Sequence, residues 1–206
     1  MSRRQKIIRI MVFVLSSITV GAVCCFAWIT PPKDSITDLN YPPEFFCDSG
    51  ENRIDLQTDG NCAAYATAYV LRSLGEQTDG EKIAPEVKRI FGFVHAGSIV
   101  RVLEKHGFSA KAYHGDADTL KKRLVSGVPV IVFISIPGDT HYAVVVGYDK
   151  QYFYLVDSLA ENENADDNQY NRKLRTVEFE EIWKTDTVLP DNVYIVADRL
   201  DSKTMR

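Results

Sequence analysis

The chain has 206 residues and a formal net charge of −4; 45% of its residues are hydrophobic and 25% are charged. This length and composition suffice for one globular domain with a hydrophobic core. Outside one N-terminal cluster the basic residues are scattered. They form no basic patch, so we expect no nucleic-acid partner.

The N-terminus has the pattern of a membrane anchor. Four basic residues within 1–9 precede an uncharged run at residues 10–29. About twenty apolar residues span a bilayer core as a helix, and positive charge on the N-terminal side predicts a cytoplasmic tail. We therefore expect a single-pass cell-membrane protein with its remainder outside. The main alternative is a cleavable signal peptide, which would make the protein secreted; a buried core helix is a remote third reading.

Residues 30–52 are rich in Pro, Asp and Ser and predict an extracellular stalk. The domain then covers residues 53–206. Its first half predicts four helices, at residues 61–74, 81–90, 98–106 and 116–126. The first helix is rich in Ala and ends at Gly75. Cys62 lies at its start, where Asp59 or Asn61 can cap it.

The second half of the domain is dominated by strand patterns. The apolar run at 130–136 predicts a strand buried on both faces. Residues 141–148 and 152–156 predict a hairpin. Further elements are expected as short strands at 109–113 and 193–197 and a short helix at 177–184. Helices followed by an antiparallel sheet indicate the α+β class.

Residues 161–169, within the polar, acidic segment 159–172, have the composition of a calcium-binding segment. The segment lacks the glycine and glutamate spacing of an EF-hand, so a solvated loop is expected. No Cys or His pair has zinc spacing, and no Gly-rich phosphate loop follows a strand. The sequence therefore predicts no metal and no cofactor.

Three residue types in chain order suggest the chemistry of the domain. Cys62 begins an apolar helix, His141 begins a strand, and Asp157 ends the next strand. Only a thiolate attacks, and the positive end of a helix dipole favours it. An imidazole can then exchange the proton, a carboxylate can orient the imidazole, and the amide of Gln57 can donate to an oxyanion.

Cys47 provides the main alternative for Cys62. In an extracellular domain the two cysteines could form a disulfide, which would block Cys62 as a nucleophile. A cysteine at a helix start with His and Asp partners is better explained as a reactive thiol, so we expect Cys62 to be free.

The chain resembles the papain-like family of bacteriocin-processing peptidases, which cut after double-glycine leaders. It is most similar to stand-alone membrane-anchored or secreted members without an ABC transporter. The matching stretches are QTDGNCAAYATAYVLRSLG, SIVRVLEKHGFSA, GVPVIVFI, HYAVVVGYD, YFYLVDS and FEEIW, which together cover roughly residues 55–198.

The resemblance implies a papain-like cysteine peptidase fold, with N-terminal helices packed on an antiparallel sheet. It also implies Cys62 as nucleophile, His141 as general base and acid, Asp157 as orienting residue and Gln57 as oxyanion donor. The expected partners are a peptide or protein substrate and, through the N-terminal helix, the membrane.

Three positions depart from the family pattern. Ala63 follows the cysteine where Gly is usual, and Ser158 follows the aspartate where Pro is frequent. Gln57 lies five residues before Cys62, one fewer than is common, so Asn61 or a backbone N–H is an alternative oxyanion donor. Another thiol acyl-transfer enzyme, such as an amidase or transpeptidase, and a catalytically silent peptide-binding relative remain the alternative functions.

Overall fold

The computed structural model describes residues 5, 9, 11–13, 30–48, 50, 52–58, 60–90, 92–187 and 190–199. The chain divides into two compact units, Met1–Thr30 and Pro31–Arg206. In the first unit Gln5, Arg9 and residues 11–13 are helical. None of the described helices combines the length and apolarity needed to cross a membrane. The predicted anchor at 10–29 lies outside the described residues, apart from 11–13.

The second unit contains five α-helices and seven strands among its described residues. The helices are α1 (Cys62–Ser73), α2 (Gly80–Ile83), α3 (Ala96–Lys105), α4 (Ala117–Leu124) and α5 (Thr176–Ile182). The strands are β1 (Phe45–Phe46), β2 (Phe108–His114), β3 (Val130–Ile136), β4 (Asp139–Tyr148), β5 (Tyr152–Val156), β6 (Arg172–Arg175) and β7 (Val193–Arg199). Short 3₁₀ turns occupy Ala84–Glu86 and Ala160–Asn162.

The strands form one antiparallel sheet in the order β2-β7-β3-β4-β5-β6, and β1 pairs with β4. The α+β class expected from the sequence is confirmed. The hairpin β4–β5 pairs Val144 with Val156, so Asp157 follows opposite Ala143. Since side chains two residues apart share a face, His141 and Asp157 are diagonal neighbours across this pair.

The sheet is covered on both faces. One hydrophobic cluster joins α1 and α3 to residues such as Ile131 and Val144, and the other joins α4 and α5 to residues such as Val132 and Val145. Strand β3 contributes side chains to both clusters, as its continuous apolar run predicts. The sheet is thus a central layer, and α1 packs against the strand that carries His141.

Residues 31–48, which lie in the segment 30–52 expected to be a stalk, belong to the same compact unit as the domain. The Asp34 side chain is fully buried and accepts hydrogen bonds from Arg123 Nε at 2.8 Å and Nη2 at 2.7 Å. Further on, β1 pairs with β4, and Phe46 lies opposite Gly147, where a Cβ atom would lie 2.5 Å from the Phe46 ring. Only glycine therefore fits at position 147. These contacts make residues 31–48 part of the folded domain.

Two other elements differ from the sequence expectation. The helix predicted at 81–90 is short, with α2 passing into a 3₁₀ turn at Ala84–Glu86. Pro85 lacks the N–H that an α-helix needs and so ends the regular helix. The loop predicted over 159–172 ends one residue early, because Arg172 already pairs with Leu155 as the first residue of β6.

Candidate active site

Cys62 is the first residue of α1, and the nine residues that follow it, from Ala63 to Leu71, are all buried. The first turn contains no acidic residue that would offset the positive end of the helix dipole. Asn61 occupies the N-cap position, but its side chain makes no capping bond. Its Oδ1 instead accepts a hydrogen bond from Arg89 Nη2 at 3.1 Å. Capping by the Asn61 side chain, one of the two expectations, is thus wrong, and Asp59 lies outside the described residues.

His141 and Asp157 form a buried pair. The Nε2 atom of His141 lies 2.7 Å from Oδ1 of Asp157, and the two side chains are 1% and 0% exposed. The Cys62 side chain lies close enough to the same imidazole to contribute to the raised pKa of His141. The structure therefore brings the His141 imidazole and the Asp157 carboxylate into contact, with the Cys62 thiol near the imidazole.

The charges in this group support one another. Burial alone lowers the pKa of His141, but hydrogen bonds to Asp157 and Cys62, together with their negative charges, raise it to about 9. Burial alone raises the pKa of Asp157. The hydrogen bond and charge of His141, the Leu159 N–H and the charge of Arg172 nevertheless hold that pKa below its usual value. At neutral pH the pair is therefore an imidazolium and a carboxylate.

Every oxygen of the Asp157 carboxylate has donors. Besides His141, Oδ1 accepts from the backbone N–H of Leu159 at 3.0 Å. The other oxygen, Oδ2, accepts from Nη1 of Arg172 at 2.7 Å and from Nδ2 of Asn162 at 3.0 Å. Four donors offset the desolvation of this buried charge and hold the carboxylate in one orientation.

The backbone of Asp157 is fixed as well. The side chain of Asn171 accepts from the Asp157 N–H and donates to its carbonyl, both at 2.8 Å. Its Nδ2 also lies 2.8 Å from Oε1 of Glu163. The polar segment after β5 is thus organised around the aspartate.

The contacts of Arg172, Asn162 and Asn171 with Asp157 are not predicted by the sequence, because residues 159–172 have the composition of a solvated loop. The available signal was weak: β6 has only four residues, and Leu174 is its one apolar side chain. Polar residues in loops are normally exposed, and their partners depend on the path of the loop.

Gln57 is anchored beside Asp157. Its backbone N–H donates to the carbonyl of Ser158 at 2.8 Å, and its Oε1 accepts from the Ser158 hydroxyl at 2.8 Å. Because this contact uses the amide oxygen, the NH₂ group points away from Ser158. Ser158, noted only as a departure from the family pattern, is therefore the residue that orients the Gln57 side chain.

Cys47 and Cys62 are both free thiols, so the alternative disulfide is not formed. Cys47 is buried, its Sγ lies 3.8 Å from the carbonyl of Leu124, and burial raises its pKa to about 12. A thiol in that environment stays protonated at neutral pH. Within the part of the chain that the structure describes, no group of three or more His, Cys, Asp or Glu side chains could hold a metal ion.

The family model of the Peptidase_C39 like family matches residues 48–188. This is more than half of the chain, so the chain belongs to the Peptidase_C39 like family, and it is a cysteine peptidase. The resemblance seen in the sequence is thereby confirmed. No curated protein matches the chain.

Solved structures share the fold. The peptidase domain of Streptococcus ComA, a bifunctional ABC transporter involved in quorum sensing, is 19% identical with a TM-score of 0.58, over 72% of this chain and 98% of that domain. A C39-like peptidase from Bacillus anthracis is 19% identical with a TM-score of 0.58, over 76% and 98%. A double-glycine-motif protease from an AMS/PCAT transporter, in complex with a leader peptide, is 18% identical with a TM-score of 0.52, over 71% and 93%.

We predict that Asp157→Asn lowers the pKa of His141 from about 9. The neutral amide removes the charge that stabilises the imidazolium and leaves burial, which disfavours it. The measurement is an NMR titration of the His141 Cε1–H signal in the full-length chain. Asp139→Asn is the matched control, because Asp139 is an exposed carboxylate at the start of the same strand.

The same change affects stability with a defined sign. The folded pKa of His141, about 9, exceeds its ordinary value of 6.5. The group therefore contributes stability that is fully present below about pH 6.5 and is lost as the pH rises through about 9. The difference in unfolding free energy between wild type and Asp157→Asn should shrink over that window. A His141 midpoint that does not move in Asp157→Asn would contradict the assigned pair.

Proposed function

We propose that Cys62 is the nucleophile of this peptidase, with His141 as its base and acid and Asp157 as the orienting group. The supporting observation is the buried contact of 2.7 Å between His141 and Asp157, with the Cys62 side chain acting on the same imidazole. The reaction is hydrolysis of a peptide bond in a peptide or protein.

In the first half of the reaction the Cys62 thiolate attacks the carbonyl carbon of the scissile bond. A C–S bond forms and the carbonyl electron pair becomes an oxyanion. When the oxyanion collapses, the C–N bond breaks and the leaving amine takes the proton of His141. The products of this half are a free amine, a neutral imidazole and a thioester on Cys62.

In the second half the neutral His141 takes a proton from a water molecule, and the oxygen of that water attacks the thioester carbon. Collapse of this second oxyanion breaks the C–S bond. The acid product leaves, and the thiolate and imidazolium of the resting site are restored. Asp157 stabilises the imidazolium in both halves and is not itself protonated.

Gln57 is the proposed side-chain donor to the oxyanion. With its Oε1 engaged by the Ser158 hydroxyl at 2.8 Å, the amide can present its NH₂ group to the developing charge. The backbone N–H groups at the start of α1 are the second source of donors, since the first N–H groups of a helix have no partner within it.

The proposed substrate is a peptide or protein outside the cytoplasmic membrane. Support comes from the leader peptide bound to the AMS/PCAT transporter protease, which shares this fold, and from the N-terminal pattern of a basic tail before an apolar run. Peptides that carry a double-glycine motif are accordingly the first substrates to test.

Cys62→Ala and His141→Ala should each lower kcat by about a thousandfold or more, because nucleophile and base act as one unit. Candidate peptides are incubated with the full-length chain, and the products are identified by mass spectrometry. Cys47→Ala is the control: it removes the other thiol of the domain, which lies buried and outside the site, and should cleave like wild type. Cleavage by Cys62→Ala at the wild-type rate would rule out this nucleophile.

Gln57→Ala should lower kcat by about a hundredfold with little change in KM, since the lost bond is made mainly to the oxyanion. Ser158→Ala should give a smaller loss of the same kind, because it frees the amide to turn. Peptide aldehydes test this directly, as their adduct with a thiol carries such an oxygen. Both variants should bind an aldehyde more weakly than wild type, while the matching peptide alcohol binds equally well.

A double variant provides the check on this pair. If Ser158 acts only through Gln57, Ser158→Ala should have no further effect in a Gln57→Ala background. Fully additive losses would instead assign Ser158 a separate role. Unchanged aldehyde affinity in Gln57→Ala would shift the oxyanion role to Asn61 or to the backbone.

For the location, we propose a single membrane span over residues 10–29 with the catalytic domain outside the cell membrane. Protease added to intact cells should then digest the domain, and the full-length chain should fractionate with membranes. A cytoplasmic protein and an N-terminally deleted chain are the controls. Release of a shortened chain into the medium would establish a cleaved signal peptide in place of the anchor.

A further inference from the structure

The Asp157 carboxylate contacts two cationic side chains, one from each of the two strands that flank β5. Its Oδ1 lies 2.7 Å from Nε2 of His141, and its Oδ2 lies 2.7 Å from Nη1 of Arg172. The carboxylate therefore divides its charge between the imidazolium and a guanidinium that has no part in proton transfer.

The sheet register explains this placement. Strand β5 lies between β4 and β6, and Arg172 pairs with Leu155, two residues before Asp157. Side chains at diagonal positions on paired strands reach one another when they are long. His141 reaches the carboxylate from β4 and Arg172 reaches it from β6, so both contacts follow from the pairing of the same three strands.

Because Asp157 and Arg172 are both largely buried, the charge of Arg172 acts strongly on the Asp157 carboxylate. The Asp157 side chain is 0% exposed and that of Arg172 is 11% exposed, so water screens their attraction only weakly. The groups facing the carboxylate are His141 from β4 and Arg172 from β6. Cys62 lies beyond the imidazole, and Glu163 is connected through Asn171. Arg172 is the permanently charged cation of this group.

We propose that Arg172 is a positioning residue of the active site, acting through Asp157 to limit how tightly His141 holds its proton. The inference rests on the proposed function of the Cys62 site and adds to it. An acid that must pass a proton to a leaving amine works best when its affinity for that proton is not too high. Without the guanidinium, the full carboxylate charge would act on the imidazolium.

The proposed role predicts that loss of Arg172 raises the pKa of His141, whereas a purely structural role predicts that it lowers it. In Arg172→Met the pKa of His141 should rise above the wild-type value of about 9, because Oδ1 remains held by Leu159 while the competing cation is gone. If Arg172 served the fold alone, its loss would loosen the His141–Asp157 contact and lower that pKa.

The test is the NMR titration of the His141 Cε1–H signal in the full-length chain, for wild type, Arg172→Met, Arg172→Gln and Arg172→Lys. Both neutral variants should shift the midpoint upward, and the lysine variant should stay near wild type because it keeps the charge. With a peptide that wild type cleaves, the neutral variants should also lose about ten- to a hundredfold in kcat, the loss expected for one hydrogen bond to a charged group.

Arg175→Met is the matched control. Arg175 lies on the same strand and pairs with Glu178 at 2.6 Å, but its side chain is 67% exposed. Its removal should leave the His141 midpoint unchanged. An unchanged or lowered midpoint in the folded neutral variants would overturn the proposal, and signal dispersion in the same spectra shows whether each variant is folded. Should neither neutral variant fold, a lysine variant with a displaced midpoint overturns it.

One further variant separates this inference from the proposed function. Cys62→Ala should lower the His141 midpoint, since the negative sulfur that stabilises the imidazolium is absent. If that midpoint does not move, the proposed pairing of Cys62 with His141 is wrong. The response to Arg172→Met would still test the effect of Arg172 on the Asp157 carboxylate.

Discussion

The buried carboxylate of Asp157 is the constraint on which the site is built. A carboxylate without water is strongly unfavourable unless donors replace its hydration. Here the replacement comes from the imidazole, a guanidinium, an asparagine amide and one backbone N–H. These donors belong to β4, β6 and the connection after β5. The hydrogen bonds that this one ion requires therefore fix both the His141 imidazole and the course of the polar segment that follows Asp157.

The two thiols of the domain show how environment determines reactivity. Cys47 lies in the apolar layer under α4, where burial keeps it protonated and inert. Cys62 is partly exposed at the start of a helix and faces an imidazolium. The same side chain is thus a packing residue in one place and a nucleophile candidate in the other, because only the second position provides positive charge and access.

The segment before the family match also contributes to the fold. Residues from Pro31 onward belong to the compact unit, although the family model begins at residue 48. Asp34 in this segment is buried, and its carboxylate accepts hydrogen bonds from the partly exposed Arg123 and the buried Tyr194. A stretch whose composition suggested an extended stalk therefore pairs with β4 and is joined to α4 by the Asp34–Arg123 ion pair.

The sequence by itself determined most of the elements and the three residues of the proposed active site. Periodicity located α1, β3 and the β4–β5 hairpin, because helix and strand spacing are local properties of the chain. The order of Cys62, His141 and Asp157 on those elements predicted their meeting. The tertiary structure decided what depends on distant pairing: the packing of the lead-in, the formation of β6, the anchoring of Gln57 by Ser158 and the contact of Arg172 with Asp157. Polar residues in a loop carry no period that reveals their partners, and only the folded register of three strands brought these side chains to one carboxylate.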